Sequence, residues 1–538
     1  MPEGMEGGAG PGQPAWWQHG VIYQVYPRSF QDSNGDGVGD LRGIVQRMDY
    51  LRWLGVDAVW ISPFYPSPMA DFGYDVTDHQ AVDRAYGSLV DFDRIVAEAH
   101  ARGIRVIVDY IPNHTSDRHP WFAASRAARH NRKRDWYVWR DAAPGGGPPN
   151  NWLSAFGGSA WEWDEPTGQY YLHTFLREQP DLDWRNPAVE LEMLDVLRFW
   201  LGRGADGVRV DAVQVVMKDA DFRDNPPNPD YVEGVDDPYD ALLRVHSADR
   251  PEVHGLIARM RELVETYGDR VLIGEIYNEV ERLMAYYGHE GRGVHFPYNF
   301  QLIKLPWDAR AIDAAVRRYE ALLPPGAWPN WVLGNHDRHR IVSRVGAAQA
   351  RVAAVLLLTL RGTPTLYYGD EIGMHDVPIP PDRVQDPWEK NLPGRGLGRD
   401  PERTPMQWSG EPNAGFSTGE PWLPVAEDYG SVNVQAQRSD PDSMLSLHRA
   451  LLELRRREPA LSHGEWAPVD ADGSVLAYLR SYGGTRFLVA LNLTAEPATL
   501  DFAEPGVIAL ATHRGRAGER VDGAIELEGD EAVIVRLG

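Results

Sequence analysis

Eight short apolar runs recur along the chain, each bounded by polar or turn-forming residues: VIYQVYP (21–27), DAVWISP (57–63), RVIVDYIP (105–112), DGVRVDAV (206–213), VLIGEIY (271–277), GVHFPYNF (293–300), NWVLGNHD (330–337) and TPTLYYGDE (363–371). Runs this short and this rich in β-branched and aromatic residues read as strands buried on both faces. Most are followed by a stretch of helical spacing, such as VDFDRIVAEAHARG or AVELEMLDVLRFWLGRG. Parallel strands need a crossover between them, and a helix supplies it. Eight strand–helix units therefore predict an α/β architecture closed into a (β/α)8 barrel.

Three stretches interrupt that alternation. Residues 113–186, with WYVWRDAAPGGGPPNNWLSAFGGSAWEWD, are too long for an ordinary loop and predict an inserted subdomain after strand three. Residues 218–250 and 374–435 are Pro/Asp-rich excursions after strands four and eight, on the same face, where they are expected to shape a pocket. From about residue 460 the pattern changes to alternating strands with turn residues, VLAYLRSYGGTRFLVALNLT and EAVIVRLG, which predicts an antiparallel β-sandwich. The expected division is a flexible tail at 1–14, a barrel at 15–112 and 187–458, an insert at 113–186 and a C-terminal sandwich at 459–538.

Composition narrows the function classes. A length of 538 residues with 43% hydrophobic content is ample for several cores. No uninterrupted apolar run of about 18 residues appears, so no membrane span is expected. The opening MPEGMEGGAGPGQPA has neither the basic nor the apolar segment of a secretory signal, and the chain has no cysteine. A cytoplasmic location is the simplest expectation. Lys+Arg 54 against Asp+Glu 78 gives a net charge of −24, which repels nucleic acid and anionic membranes and points to small neutral substrates. Trp 19 and Tyr 23 supply flat walls that suit sugar rings as well as cores. The oligomeric state is not legible in the sequence.

DSNGDGVGD, residues 32–40, spaces Asp32, Asn34, Asp36 and Asp40 for a hard cation. A calcium-sensing loop needs a Glu at its twelfth position, and here that position is Gly43, with a helical pattern only on the C-terminal side. The loop reads as a structural Ca2+ or Mg2+ clip, or as a solvated Asx-rich turn. No organic cofactor is expected.

Three carboxylates sit where barrel strands end: Asp211 in RVDAV, Glu275 in LIGEI and Asp337 in GNHDR. Loops leaving those ends build the site in this architecture. Arg209, two residues before Asp211, shares its face and is expected to hold it ionised as a nucleophile. Glu275 ends an apolar strand, where desolvation would keep a proton for a leaving group. Two carboxyls about 5–5.5 Å apart suit a retaining glycosidase. Asp337 would then hold substrate hydroxyls.

With these residues in view, the chain resembles glycoside hydrolase family 13, the α-amylase family, in its α-glucosidase/oligo-1,6-glucosidase branch. DYIPNHTS, DGVRVDAV, LIGEI and GNHD match its core regions, and QPDLD (179–183) is similar to the QPDLN stretch of that branch. The resemblance spans about residues 15–460. It implies Asp211 as nucleophile, Glu275 as acid/base and Asp337 as transition-state stabiliser. It also implies Asp71, Tyr74, His114, Arg209, His336 and Arg399 as the walls of a pocket for a terminal glucose, closed by an Asp71–Arg399 ion pair. Phe156 and Phe175 are candidate aromatic walls, and Asp109 is expected to support Arg209 rather than touch sugar. The same resemblance makes the loop at 32–40 a divalent-ion site, with the Val38 carbonyl beside its four side chains.

Two departures remove no reacting group: Val208 stands where the family has Phe, and QPDLD ends in Asp183. Ala212 follows the candidate nucleophile, where the branch pairs Ala or Thr with α-1,4 and Val with α-1,6 linkages, so maltose-like substrates are expected. The acceptor that resolves the intermediate, water or an alcohol or sugar, is open at this stage. Transporter-associated relatives that keep the barrel without the activity lose carboxylates; here all three are present.

Overall fold

The computed structural model describes residues 14–471 and 473–538; the tail expected at 1–14 lies, apart from Pro14, outside them. Eight parallel strands form one sheet: β1 (Ile22–Val25), β2 (Ala58–Ile61), β3 (Arg105–Tyr110), β4 (Gly207–Val210), β5 (Val271–Glu275), β6 (Phe296–Tyr298), β7 (Asn330–Val332) and β8 (Thr363–Tyr367). Each falls inside one of the eight apolar runs. Their order is β7-β8-β1-β2-β3-β4-β5-β6, a sheet wrapped into a nearly closed barrel. Except for Arg105 at the start of β3, every residue of these strands is buried. Helices cover the outer face and the barrel side chains fill the inner one.

The crossover helices follow from local signals. Helix Pro187–Gly202 starts after Asn186, whose side chain accepts from the Ala188 N–H, with proline in its first turn. It buries Val189, Met193, Val196, Leu197, Trp200 and Leu201, one face at helical spacing. Helix Ile341–Thr359 has the composition of a membrane span, but Gly346 at φ +82° interrupts it. The uninterrupted part is shorter than the roughly 20 residues a bilayer needs, and its apolar residues join the core under the C-terminal sheet.

The insert contains a three-stranded antiparallel sheet in the order Trp139–Arg140, Gln169–Leu172, Trp161–Asp164. Val138, Trp152, Ala160, Trp161 and Leu172 form its own small core. The C-terminal strands are β9 (Glu465–Val469), β10 (Val475–Tyr482), β11 (Thr485–Asn492), β12 (Ala498–Ala511), β13 (Arg520–Leu527) and β14 (Ala532–Leu537). They are hydrogen-bonded in a single order, β9-β10-β11-β14-β12-β13, and β12 carries two register shifts. One face contributes Tyr478, Phe487, Val489 and Ile534 to the barrel's core. Ala477, Leu488, Ala490, Val533 and Val535 meet Leu500, Ile508 and Ile525 in a second core.

Two buried arginines clasp the seam between barrel and C-terminal sheet. Arg455 donates to the carbonyls of Leu358 at 3.0 Å, Leu461 at 2.9 Å and Gly362 at 2.7 Å. Arg480, from β10, donates to Leu461 and Gly464, both at 3.0 Å, and to Thr359. Burial lowers both guanidinium groups, to about 10 for Arg455 and about 9 for Arg480.

Candidate active site

Strand register brings the reactive side chains together. Asp109 on β3 pairs with Arg209 on β4, and Val210 pairs with Gly274, so Asp211 follows β4 at the level of Glu275 on β5. Arg209 is buried over the Trp60 ring, 5.1 Å from its centroid. Its Nη1 lies 2.7 Å from Asp109 Oδ1 and 2.8 Å from Asp211 Oδ1, and its Nη2 lies 2.7 Å from Glu275 Oε1. Asp211 and Glu275 are therefore separated by no more than one guanidinium and its two hydrogen bonds.

This differs from the charge distribution that strand periodicity alone implied. Arg209 meets Asp109 and Asp211 as expected and is shared with Glu275 as well. Glu275 is not simply a desolvated acid, because its Oε2 also accepts from the Ala212 N–H at 2.8 Å. Burial pushes the Asp211 carboxyl well up, Arg209 pulls it down, and Glu275 and Asp109 push it up again. Asp109 is pushed up to about 6, mainly by burial. Ala212 is held at φ +40°, a backbone state unusual for a side chain with a Cβ, and that state aims its N–H at Glu275.

Asp337, at the end of β7, faces a different neighbourhood. Its Oδ1 lies 2.7 Å from Arg403 Nη2 and 3.1 Å from Arg399 Nη1, and its Oδ2 lies 3.3 Å from His336 Nε2. Burial opposes its charge, but His336, Arg399 and Arg403 around it hold it far below the ordinary carboxylate range. Burial lowers the His336 imidazole well below its ordinary value, against the pull of Asp337. The Tyr74 hydroxyl is 2.6 Å from His336 Nε2, the two rings stack at 5.5 Å, and Gln24 Nε2 is 2.8 Å from His336 Nδ1.

Arg399 Nη2 is 2.7 Å from Asp71 Oδ1 and 2.7 Å from Asp386 Oδ1, with the guanidinium over Phe156 at 5.1 Å. His114, kept neutral by burial with its value lowered to about 4, lies against Phe175 with ring centroids 5.2 Å apart. Gln179 Nε2 joins His114 Nε2 at 3.1 Å to Asp71 Oδ2 at 3.2 Å. Phe175 also packs on the apolar group of Ala212, Val215 and Ala248. A cavity of about 390 Å³ elsewhere, lined by Arg47, Tyr50, Trp408 and Val434, contains none of these residues.

Arg403, Asp386, Gln179 and Gln24 are the participants that sequence reasoning missed. Arg403 lies four residues after Arg399 and Gln179 opens QPDLD, which offered a signal; Asp386 and Gln24 offered none.

The loop at 32–40 uses its side chains as acceptors. Asp32 Oδ1 takes the N–H groups of Asn34 and Gly35 at 2.8 Å, and its Oδ2 takes that of Gly37 at 2.8 Å and the Ser417 hydroxyl. Asn34 accepts from Asp36 N at 2.9 Å, Asp36 from Val38 N at 2.9 Å, and Asp40 from Gly43 N at 2.7 Å, which caps helix Leu41–Gln46. A short helical turn, Pro27–Phe30, precedes the loop, where the sequence pattern had given no helix. Burial raises Asp32, but these donors more than offset it and hold the carboxylate charged.

Residues 24–464 match the family model described as "Alpha amylase, catalytic domain", and the chain belongs to the α-amylase family of glycoside hydrolases. It is similar to a probable alpha-glucosidase of Rhizobium meliloti (strain 1021), 41% identical over 97% of both chains. An oligo-1,6-glucosidase of Heyndrickxia coagulans is 39% identical over 90% of this chain and 93% of its own. Among solved structures, the alpha-glucosyl transfer enzyme XgtA superposes with a TM-score of 0.93 at 42% identity, covering 98% of this chain and 100% of its own.

Proposed function

We propose that the protein is a retaining, exo-acting α-glucosidase that removes the terminal glucose of short α-glucosides, with α-1,4 linkages preferred. The observation that carries this reading is one guanidinium, Arg209, holding the carboxyls of Asp211 and Glu275 side by side at the ends of adjacent strands. In the first step an Asp211 oxygen bonds to the anomeric carbon as the glycosidic C–O bond breaks, and Glu275 gives its proton to the departing oxygen. To reach that oxygen, Glu275 exchanges its contact with Arg209 or with Ala212 N for the substrate. In the second step Glu275 takes a proton from water or another hydroxyl, which displaces Asp211. Asp337, charged between two arginines, accepts from sugar hydroxyls, and the Asp71–Arg399 pair closes the pocket beyond the terminal ring.

A second outcome of the same chemistry, transfer of glucose to an alcohol or sugar acceptor, has its own support. Phe175, Ala212, Val215 and Ala248 make an apolar surface beside Glu275, where an acceptor competes with water, and XgtA is described as a transfer enzyme. Incubation with maltose and a phenolic or alkyl alcohol separates the two outcomes; release of glucose alone removes the transfer reading. Asp211→Asn and Glu275→Gln are each expected to lower turnover by several orders of magnitude with the fold retained. A variant that keeps more than about a tenth of the wild-type rate contradicts these assignments.

We further propose that the 32–40 loop holds a Ca2+ or Mg2+ ion through Asp32, Asn34, Asp36, Asp40 and the Val38 carbonyl. An all-oxygen donor set and a charged, hydrogen-bonded Asp32 suit a hard cation. The ion ties the loop in place and takes no part in bond making.

A further inference from the structure

A second group of ligating side chains lies away from that loop. His339, Asp376 and Glu402 each present one donor atom, and the three atoms lie within 4.8 Å of one another. His339 Nδ1 is 2.8 Å from Asp376 Oδ2 and 3.9 Å from Glu402 Oε2. Glu402 is only 1% exposed, and its Oε2 is fully buried with no hydrogen-bond partner. A buried carboxylate oxygen without a hydrogen-bond partner is costly, so this one is open to a further ligand, with only the His339 ring nearby at 3.9 Å. Arg403, the next residue, does not supply that charge, because its guanidinium is committed to Asp337 and the His336 carbonyl. Asp376 is held in place from its other oxygen, which accepts from the Arg340 N–H at 2.9 Å.

We propose that His339, Asp376 and Glu402 form a zinc site. An imidazole nitrogen and carboxylate oxygens are each ligand types that zinc takes, and the exposed His339 side leaves a fourth position for water. Bonds of about 2.0 Å in tetrahedral geometry set ligand atoms about 3.3 Å apart. The two observed separations bracket that value, so small side-chain rotations complete the site. Calcium and magnesium want more oxygens and no imidazole nitrogen. The ion would link the segment after β7, which carries Asp337, to the segment that carries Arg399 and Arg403. Occupancy therefore firms the arginines that hold Asp337.

The test uses the full-length protein stripped of metal with a chelator and titrated calorimetrically with zinc chloride. One saturable site is expected, together with a rise in melting temperature. His339→Gln and Glu402→Gln should each weaken zinc by more than the roughly 10–100-fold typical of losing an outer partner, while Asp32→Asn keeps the site. Absence of a saturable site, or a site unchanged in both variants, overturns the proposal. If either variant fails to fold, cobalt added to the wild type decides: strong visible bands of a four- or five-coordinate ion are expected, and a spectrum no different from aqueous cobalt refutes it.

Discussion

Arg209 touches three carboxylates with two nitrogens, and its removal strands all of them. Arg209→Met is expected to destabilise the fold by about 3–5 kcal/mol, because breaking a buried ion pair leaves uncompensated charge. Urea midpoints of variant and wild type at neutral pH measure it; a loss below about 1 kcal/mol would mean that water reaches the group. At this scale the sequence was legible where chemistry and strand period coincide. Asp211 and Arg209 lie two apart, and Glu275 and Asp337 end their strands. Asp109 supports Arg209 as expected, but the reach of the same guanidinium to Glu275 was not legible, because the Asp211–Glu275 juxtaposition depends on barrel register. Nor was the Ala212 N–H on Glu275, which depends on a positive φ that alanine does not advertise.

The loop at 32–40 and the excursion at 374–435 act as one element. Asp32 N donates to Phe416 O at 3.1 Å, Trp422 N donates to Gly37 O at 3.0 Å, and a Cβ on Gly37 would lie 1.9 Å from Glu420 O. Gly37 is also at φ +86°. Gly37→Ala is therefore expected to cost on the order of 2 kcal/mol or more and to weaken cation binding. On the proposed cation site, treating the wild type with a chelator should lower the melting temperature while leaving kcat nearly unchanged once the protein is folded. Complete loss of turnover in folded, metal-free protein would make the ion catalytic. The eight strands and their helices were legible because apolar period and turn residues agree. The excursion was legible as an interruption, and its Asp71–Arg399 pair through the family resemblance, but not its internal path, since its short 3-10 turns have no periodicity and its order comes from contacts with residues several hundred positions away, as in Asp32 N to Phe416 O.

At the scale of the whole molecule, the buried His448 and the buried Asp370 respond to acid in opposite senses. Burial lowers His448 to about 4, so below the unfolded value of about 6.5 the unfolded chain takes a proton that the folded one refuses. Its stability contribution is complete above pH 6.5 and drains away down to about pH 4, at up to about 1.4 kcal/mol per pH unit. Asp370 is raised to about 7, again by burial, so its contribution is complete below the unfolded value near 4 and is lost as pH rises to about 7. His448→Gln should thus gain on wild type as pH falls from 6.5, and Asp370→Asn should gain on it as pH rises from 4. Denaturation midpoints at three or four pH values distinguish these slopes, and parallel curves would mean that neither group is excluded from water.

The arginine clasp at the barrel's seam sets where this chain can be cut. Arg455 belongs to the barrel's last long helix but reaches carbonyls on both sides of residue 460, and Arg480 reaches back from β10 to Thr359. A fragment ending near residue 464 would expose a greasy helix and leave carbonyl oxygens with no donor. A minimal catalyst made from this scaffold would have to carry the terminal sheet along, although none of that sheet's described residues lies among the groups around Asp211, Glu275 and Asp337.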